Sequence, residues 1–132
     1  IKGVKDSCGN MKQSLELLRL KSEDFAVLTG EDHLLYTTLV NGGDGGILAS
    51  AHLHTEKFID VYQRIKDNDH QKALETWRQI EAVIPKLFEE PNPAPIKYCL
   101  NHLGLIRSSE TRAPLGNISG ELQNDLERYL AG

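Results

Sequence analysis

The sequence predicts an α/β fold in which three parallel strands alternate with helices and a helical region follows. Three observations predict it. Short apolar runs recur roughly every 20 to 25 residues, amphipathic helical patterns lie between them, and no strand-like run appears after residue 56. With 39% hydrophobic residues, the 132-residue chain has enough apolar side chains for one core.

The first two strands and the helix between them are predicted by apolar runs and a capping signal. Residues 1–4 predict a short strand, and Asn10 with Gln13 three positions later resembles a capping box that opens a helix ending near Leu20. Met11, Leu15 and Leu18 would give that helix its apolar stripe. The continuous apolar run at 25–29 is typical of a parallel strand buried on both faces.

A second helix and a third strand complete the predicted sheet. The helix begins at residues 30–32, and its inward positions are Leu34, Leu35, Thr38 and Leu39. The glycines at 42–46 stand at the end of this helix and before the next strand, residues 46–50. Phosphate-binding loops follow a strand and open a helix, so we interpret these glycines as a helix stop with tight packing.

The second half of the chain predicts helices only. One amphipathic pattern covers residues 58–65 and a second covers 73–87, which Pro85 should kink near its last turns. The proline-rich segment 91–95 predicts a stiff connector before a short helix over about 96–103. Ser119 can cap a final helix.

The predicted sheet is small for a complete one. Three apolar strands would leave unpaired backbone groups at both edges and would need cover on both faces. The sequence therefore predicts part of a larger sheet, and the absence of an initiator methionine agrees with that expectation.

Composition argues against several classes of partner. Fifteen basic against nineteen acidic residues give a formal charge of −4, which lacks the basic excess of nucleic-acid-binding proteins. No apolar run approaches the roughly 20 residues of a membrane span. The two cysteines, Cys8 and Cys99, lie far apart without metal-type spacing, which favours free thiols and a cytoplasmic location.

Lys5 is the strongest candidate for chemistry. Functional groups of parallel α/β proteins gather where strands end, and Lys5 stands at the end of the first predicted strand. If a lysine lies between apolar walls, desolvation lowers its pKa, and the free amine can form a Schiff base with a ketone. The alternative is a solvated charge after an edge strand.

Other candidate residues also have two interpretations. Gly30 could let a ligand approach the backbone, or it could simply form a turn. His52 and His54 have no carboxylate or cysteine nearby to complete a metal site, and Ser50 with His52 lacks the third member of a hydrolytic triad. Cys8 could be a reactive thiol at a helix start, although a small buried filler is the interpretation we favour.

Five segments together resemble the dihydrodipicolinate synthase and N-acetylneuraminate lyase family. They occur in order and cover nearly the whole chain. The segments are GVKDSCG at 3–9, VLTGED at 27–32, GGDGGI at 42–47, EPNPAPIK at 90–97 and RAPL at 112–115.

The resemblance implies the C-terminal part of a (β/α)8 TIM barrel, with its last three βα units in residues 1–55. Residues 56–132 would then form the final barrel helix and the C-terminal helical region. By the same resemblance, Lys5 forms the imine, Gly30 and Ile47 border the pyruvate-derived part of the substrate, and Asp32 contacts the sugar chain in the lyase branch. The proton-relaying tyrosine and the carboxylate-binding loop of the family would lie outside this chain, which alone is expected to be inactive.

The implied function is a pyruvate-dependent class I aldolase or lyase that needs no cofactor or metal. Its partners would be pyruvate, an aldehyde and other copies of itself. His33 and Ala49 stand where the lyase branch has glutamate and serine, and His52 replaces an asparagine.

Three alternatives stay open. One is a 2-keto-3-deoxy sugar acid aldolase of the same family, and another is a non-catalytic oligomeric relative. The third is a redox or metal protein that uses Cys8, Cys99 and the histidines.

Overall fold

The computed structural model describes all 132 residues. The strands are β1 (Gly3–Asp6), β2 (Ala26–Thr29) and β3 (Gly45–Gly46). The α-helices are α1 (Met11–Leu20), α2 (Leu35–Val40), α3 (Thr55–Lys66), α4 (His70–Ile80), α5 (Ile84–Leu87), α6 (Ala94–His102) and α7 (Gly120–Ala131). Short 3-10 helices occupy Asp32–Leu34, Ser50–His52 and Glu81–Val83.

The three strands form one parallel sheet in the order β1-β2-β3, which confirms the predicted α/β class with parallel strands. Lys5 is paired with Leu28, and Leu28 is paired with Gly45. The third strand is shorter than the predicted 46–50. The ladder ends soon after Gly46 because the chain turns into the 3-10 helix at Ser50–His52.

Only one face of the sheet is covered, and the prediction that β2 is buried on both faces is wrong for this chain. Val27 and Thr29 are 2% and 4% exposed, whereas Ala26 and Leu28 on the other face are half-buried. Helices α1 and α2 cover the first face: Ser14 of α1 contacts Asp6, and Leu35 of α2 lies beside Gly46. We call the other side the open face.

The first helix begins as predicted but buries a different stripe. The side chain of Asn10 accepts hydrogen bonds from the N–H groups of Lys12 and Gln13, which confirms the cap. The buried residues of α1 are Ser14 and Leu18, while Leu15 is 39% exposed. A serine therefore occupies the centre of the stripe that the apolar pattern assigned to leucine.

The glycines after α2 end the helix, as predicted. Gly42 adopts φ +87°, and the N–H of Gly43 donates to the carbonyl of Thr38 at 2.8 Å. A Cβ on Gly43 would lie 2.4 Å from Cγ2 of Thr38, so a larger residue does not fit. This pattern of a left-handed residue followed by a return hydrogen bond is a Schellman-type helix end.

Pro85 divides the long helical pattern at 73–87 into two helices. Helix α4 ends at Ile80, a 3-10 turn follows, and α5 begins at Ile84 with Pro85 in its first turn. Proline has no N–H to donate to the carbonyl four residues earlier, and this explains why the α-helix cannot continue through the segment.

The chain forms two compact units. The strand unit comprises residues 1–48 and 55–79, and the helical unit comprises 49–54 and 80–132. In the strand unit, Trp77 packs edge-on against Phe58 and stacks with Tyr36. The core of the helical unit contains Val83, Leu87, Ala94, Ile96, Cys99, Ile118, Leu122 and Leu126. The boundary predicted between residues 55 and 56 refers to the parent barrel and stays a prediction.

None of the helices is both long and apolar enough to cross a bilayer.

Candidate active site

Lys5, Gly30 and Ile47 meet at the carboxyl end of the open face. Lys5 lies in β1 and is exposed, and Ile47 directly follows β3 and is 54% exposed. The N–H of Ile47 donates to the carbonyl of Thr29 at 2.8 Å, so the register places Ile47 beside Gly30. Because side chains alternate along parallel strands in register, all three positions belong to the same face.

Gly30 makes room for the side chains of β1. A Cβ built on Gly30 would lie 2.2 Å from Cε of Lys5 and 2.0 Å from Oγ of Ser7. Both side chains therefore lie directly over the Cα of Gly30. In this chain the missing side chain of Gly30 lets Lys5 and Ser7 approach the backbone, and the approach of a ligand stays a prediction.

Asp6 lies between Lys5 and Ser7 and fixes this end of β1. Its main-chain carbonyl accepts from the N–H of Gly30 at 2.6 Å. Its carboxylate accepts from Oγ of Ser14 at 2.6 Å and from the N–H of Cys8 at 3.0 Å. The hydrogen bond from Ser14 is the main reason that the pKa of Asp6 is lowered, against a smaller opposing effect of burial.

A second aspartate holds the amino end of the sheet. The carboxylate of Asp44 accepts from the N–H of Val27 at 2.8 Å and from Nζ of Lys21 at 3.0 Å. Burial alone would raise the pKa of Asp44, but these two partners lower it below its usual value. No candidate site residue lies at this end of the sheet.

The remaining predicted site residue, Asp32, is not on the open face. It begins the 3-10 helix after β2 and is 3% exposed. Ser7, which the sequence analysis did not single out, lies beside Lys5 instead. The signal for Ser7 was available, because a residue two positions after Lys5 in an extended strand points to the same side.

The histidines have separate partners. Nδ1 of His52 lies 2.9 Å from the carbonyl oxygen of Ala49, and Nε2 of His54 lies 2.6 Å from the hydroxyl of Tyr129. The structure contains no group of three or more histidine, cysteine, aspartate or glutamate side chains that could hold a metal ion. Ser50 is fully buried.

The two cysteines differ in exposure. Cys8 is exposed in the loop before α1, so its interpretation as a buried filler is wrong. Its neighbours are polar, since Sγ lies 3.6 Å from the carbonyl oxygen of Asn10 and 3.7 Å from Oγ of Ser14. Cys99 is fully buried in the core of the helical unit, and burial raises its pKa to about 11.

A family model described as the dihydrodipicolinate synthetase family matches residues 1–132. Among curated proteins, the chain is 54% identical over 130 residues to 4-hydroxy-tetrahydrodipicolinate synthase 2 of Clostridium acetobutylicum. That alignment covers 98% of this chain and 46% of the relative, so the chain spans about half the length of the curated relatives it matches.

Solved structures of dihydrodipicolinate synthases are also similar to this chain. Dihydrodipicolinate synthase from Thermotoga maritima superposes with a TM-score of 0.94 at 27% identity, over 99% of this chain and 45% of the other. A pyruvate complex of the chloride-inhibited enzyme from Acinetobacter baumannii superposes with a TM-score of 0.92, also at 27% identity and with the same coverage. The arrangement of strands and helices is thus that of the C-terminal part of the TIM barrel in these enzymes.

Proposed function

Because the chain belongs to the dihydrodipicolinate synthetase family, we propose that it carries the imine-forming lysine of a pyruvate-dependent aldolase or lyase. In this proposal Nζ of Lys5 attacks the keto carbon of pyruvate, a C–N bond forms, and the carbonyl oxygen leaves as water. The resulting imine withdraws electrons from the adjacent methyl carbon. That carbon then loses a proton and attacks an aldehyde to form a carbon–carbon bond.

The observation that carries this proposal is the position of Lys5 over Gly30. A glycine at this place leaves the space above its Cα to Lys5 and Ser7, and a keto acid bound beside them would meet Nζ at the carboxyl ends of the strands. Pyruvate is bound by a similar enzyme from Acinetobacter baumannii. Gly30 and Ile47 would border the pyruvate-derived part of the substrate, whereas Asp32 enters the proposal on family resemblance alone.

The proposed product is the one named for the curated relatives, 4-hydroxy-tetrahydrodipicolinate. The proposal also includes a cytoplasmic location and assembly into a homo-oligomer. We further propose that residues 1–132 alone are inactive. Lys5 is exposed and the open face has no apolar cover, so the amine lacks the desolvated pocket that such chemistry uses.

Borohydride trapping on the full-length protein tests the proposal. Borohydride delivers a hydride to the imine carbon and leaves a stable secondary amine, which mass spectrometry of a proteolytic digest can assign to one lysine. We expect a pyruvate-dependent adduct on Lys5 and none in Lys5→Arg. The matched control is Lys2→Arg, which changes another exposed lysine of the same segment and should still form the adduct.

An adduct on another lysine, or no adduct at all, would refute the proposed role of Lys5. A non-catalytic relative predicts no adduct. If the adduct forms but the reaction yields no 4-hydroxy-tetrahydrodipicolinate, the imine chemistry stands, the proposed product is refuted, and the sugar acid aldolase is the alternative to test. A panel of aldehydes would then identify the second substrate.

A further inference from the structure

We infer that Asp6 is a positioning residue for Lys5, an inference that rests on the proposed function. Asp6 is the last residue of β1, and its side chain points away from the open face toward α1. It touches none of the atoms that would react. Its two neighbours along the strand, Lys5 and Ser7, both lie over Gly30 on the open face.

The main chain of Asp6 sets the position of β1 against β2. Its carbonyl oxygen accepts from the N–H of Gly30 at 2.6 Å, which is the last link between these two strands. A shift of this peptide would move Lys5 and Ser7 relative to Gly30, because Asp6 is covalently joined to both. The location of Nζ over Gly30 thus depends on where the Asp6 peptide is held.

The carboxylate of Asp6 holds that peptide from the other side. It accepts from Oγ of Ser14 at 2.6 Å and from the N–H of Cys8 at 3.0 Å. Ser14 is 6% exposed and its Oγ also lies 3.2 Å from the carbonyl oxygen of Asn10, the residue that caps α1. The strand end is therefore tied to the first turn of a capped helix, a more rigid support than the exposed loop 7–10.

An aspartate that only stabilises the fold could make similar hydrogen bonds, and Asp44 provides the comparison. Asp44 also accepts a backbone N–H and a side-chain donor, but it lies at the amino end of the sheet. If Asp6 only stabilises the fold, replacing either aspartate should lower the folded fraction alike. If Asp6 positions Lys5, only its replacement should slow the reaction of molecules that are folded.

The experiment is rapid-quench borohydride trapping on the full-length protein over a range of pyruvate concentrations. It separates three quantities: the rate constant for adduct formation, the amplitude, and the pyruvate concentration that gives half the maximal rate. The variants are Asp6→Asn, Ser14→Ala and Ser14→Thr, with Asp44→Asn as the matched control. Ser14→Thr keeps the hydroxyl donor, so it serves as the conservative rescue.

We expect Asp6→Asn to lower the maximal rate constant about 10- to 100-fold, the size of effect that a small misplacement of a reacting group produces. Because Asp6 does not touch substrate, the half-saturating pyruvate concentration should change by less than about twofold. Ser14→Ala should slow the reaction by roughly 3- to 10-fold, and Ser14→Thr should restore most of the rate.

Two outcomes would overturn the inference while leaving the proposed function intact. One is a lowered amplitude in Asp6→Asn and Ser14→Ala with an unchanged rate constant. The other is an equal loss of rate in Asp44→Asn. If the wild-type protein forms no adduct on Lys5, the proposed function itself fails and the inference fails with it. If Asp6→Asn does not fold, the comparison of Ser14→Ala with Ser14→Thr still decides whether Asp6 positions Lys5 or only stabilises the fold.

Discussion

The strand unit and the helical unit differ in how completely each buries its apolar residues. In the helical unit, Leu126 and Cys99 are fully buried in one continuous core. In the strand unit, one face of the sheet is covered by helices while the other leaves Leu28 half-buried and Ile47 54% exposed. Every residue of the candidate site except Asp32 lies on this open face or at its carboxyl end.

The residues of the two units are therefore under different constraints, internal packing in the helical unit and external contacts on the open face. The core residues of the helical unit are determined by their packing against one another. The side chains of the open face have few partners within the chain, so their identities reflect what lies against them in a complete barrel and what binds there. The open face is therefore the region where substitutions should alter chemistry more than stability.

The largest predicted effect contrasts a leucine from each unit. Leu126→Ala should lower the free energy of unfolding by about 3 kcal/mol, because it removes a fully buried side chain and leaves a cavity. Leu28→Ala should cost only about 1 kcal/mol, since its side chain is half-buried. Urea unfolding of this chain, followed by circular dichroism, measures both. Equal losses would show that the open face is covered after all.

The next effect concerns Asp44, the aspartate of the sheet's amino end. Asp44→Ala removes the acceptor of the Val27 N–H and the partner of Lys21, and we expect a loss of about 1 to 2 kcal/mol. Asp44→Asn keeps an acceptor for the N–H and should cost less. The same urea titration compares them. If Asp44→Asn lost as much unfolding free energy as Asp44→Ala, the charge of Asp44 and not its hydrogen bonding would account for most of its contribution to stability.

A smaller effect compares one helix cap from each unit. Asn10→Ala and Ser119→Ala each remove a side-chain acceptor from a helix N-terminus and should each cost about 1 kcal/mol. The consequences for chemistry should differ. Only the Asn10 variant should slow adduct formation on Lys5 in the full-length protein, because the first turn of α1 carries Ser14, which donates to Asp6. Equal trapping rates in both variants would contradict this.

The smallest effect is a difference in acid sensitivity between the units. Four carboxyl groups of the strand unit have lowered pKa values: Asp6, Asp44, Asp60 and Asp69. The helical unit has one, Asp125, which is paired with Lys86 and Arg128. A carboxyl whose folded pKa is lowered stabilises the fold above its unfolded pKa of about 3.9, and this contribution is lost as pH falls through the folded value.

The strand unit should therefore lose more stability below about pH 4 than the helical unit does. Fluorescence of Trp77, the single tryptophan, reports the strand unit, and hydrogen exchange of α6 and α7 reports the helical unit. The shift should be small because these carboxyl groups are well solvated. The prediction would be contradicted if, as the pH falls, α6 and α7 lost their protection from exchange at a higher pH than the one at which the Trp77 signal changes.

Much of the fold follows from local patterns. The apolar runs of β1 and β2, the cap at Asn10, the glycine end of α2 and the interruption at Pro85 each depend on residues that are close in sequence. The length of β3 and the one-sided burial of β2 depend on neighbours in space. A pattern of apolar residues cannot report which face of a strand has a partner.

The candidate site shows the same limit. Lys5 and Gly30 were predicted because each stands at the end of a strand, whereas Ile47 and the roles of all three came from the family resemblance alone. The role of Ser14 could not be found from the periodicity of α1, which assigned the stripe to Met11, Leu15 and Leu18. Ser14 is buried because its hydroxyl binds Asp6 eight residues earlier, a polar contact that hydrophobic patterning does not register.

The contrast between the two cysteines provides a labelling site without mutagenesis. Maleimides and disulfide reagents attack thiolates that solvent can reach, and Cys99 offers neither an accessible sulfur nor, with a pKa of about 11, an appreciable thiolate at neutral pH. Within these 132 residues such a reagent would modify Cys8 alone. A fluorophore or spin label placed there would sit three residues from Lys5 and would report on the surroundings of that loop.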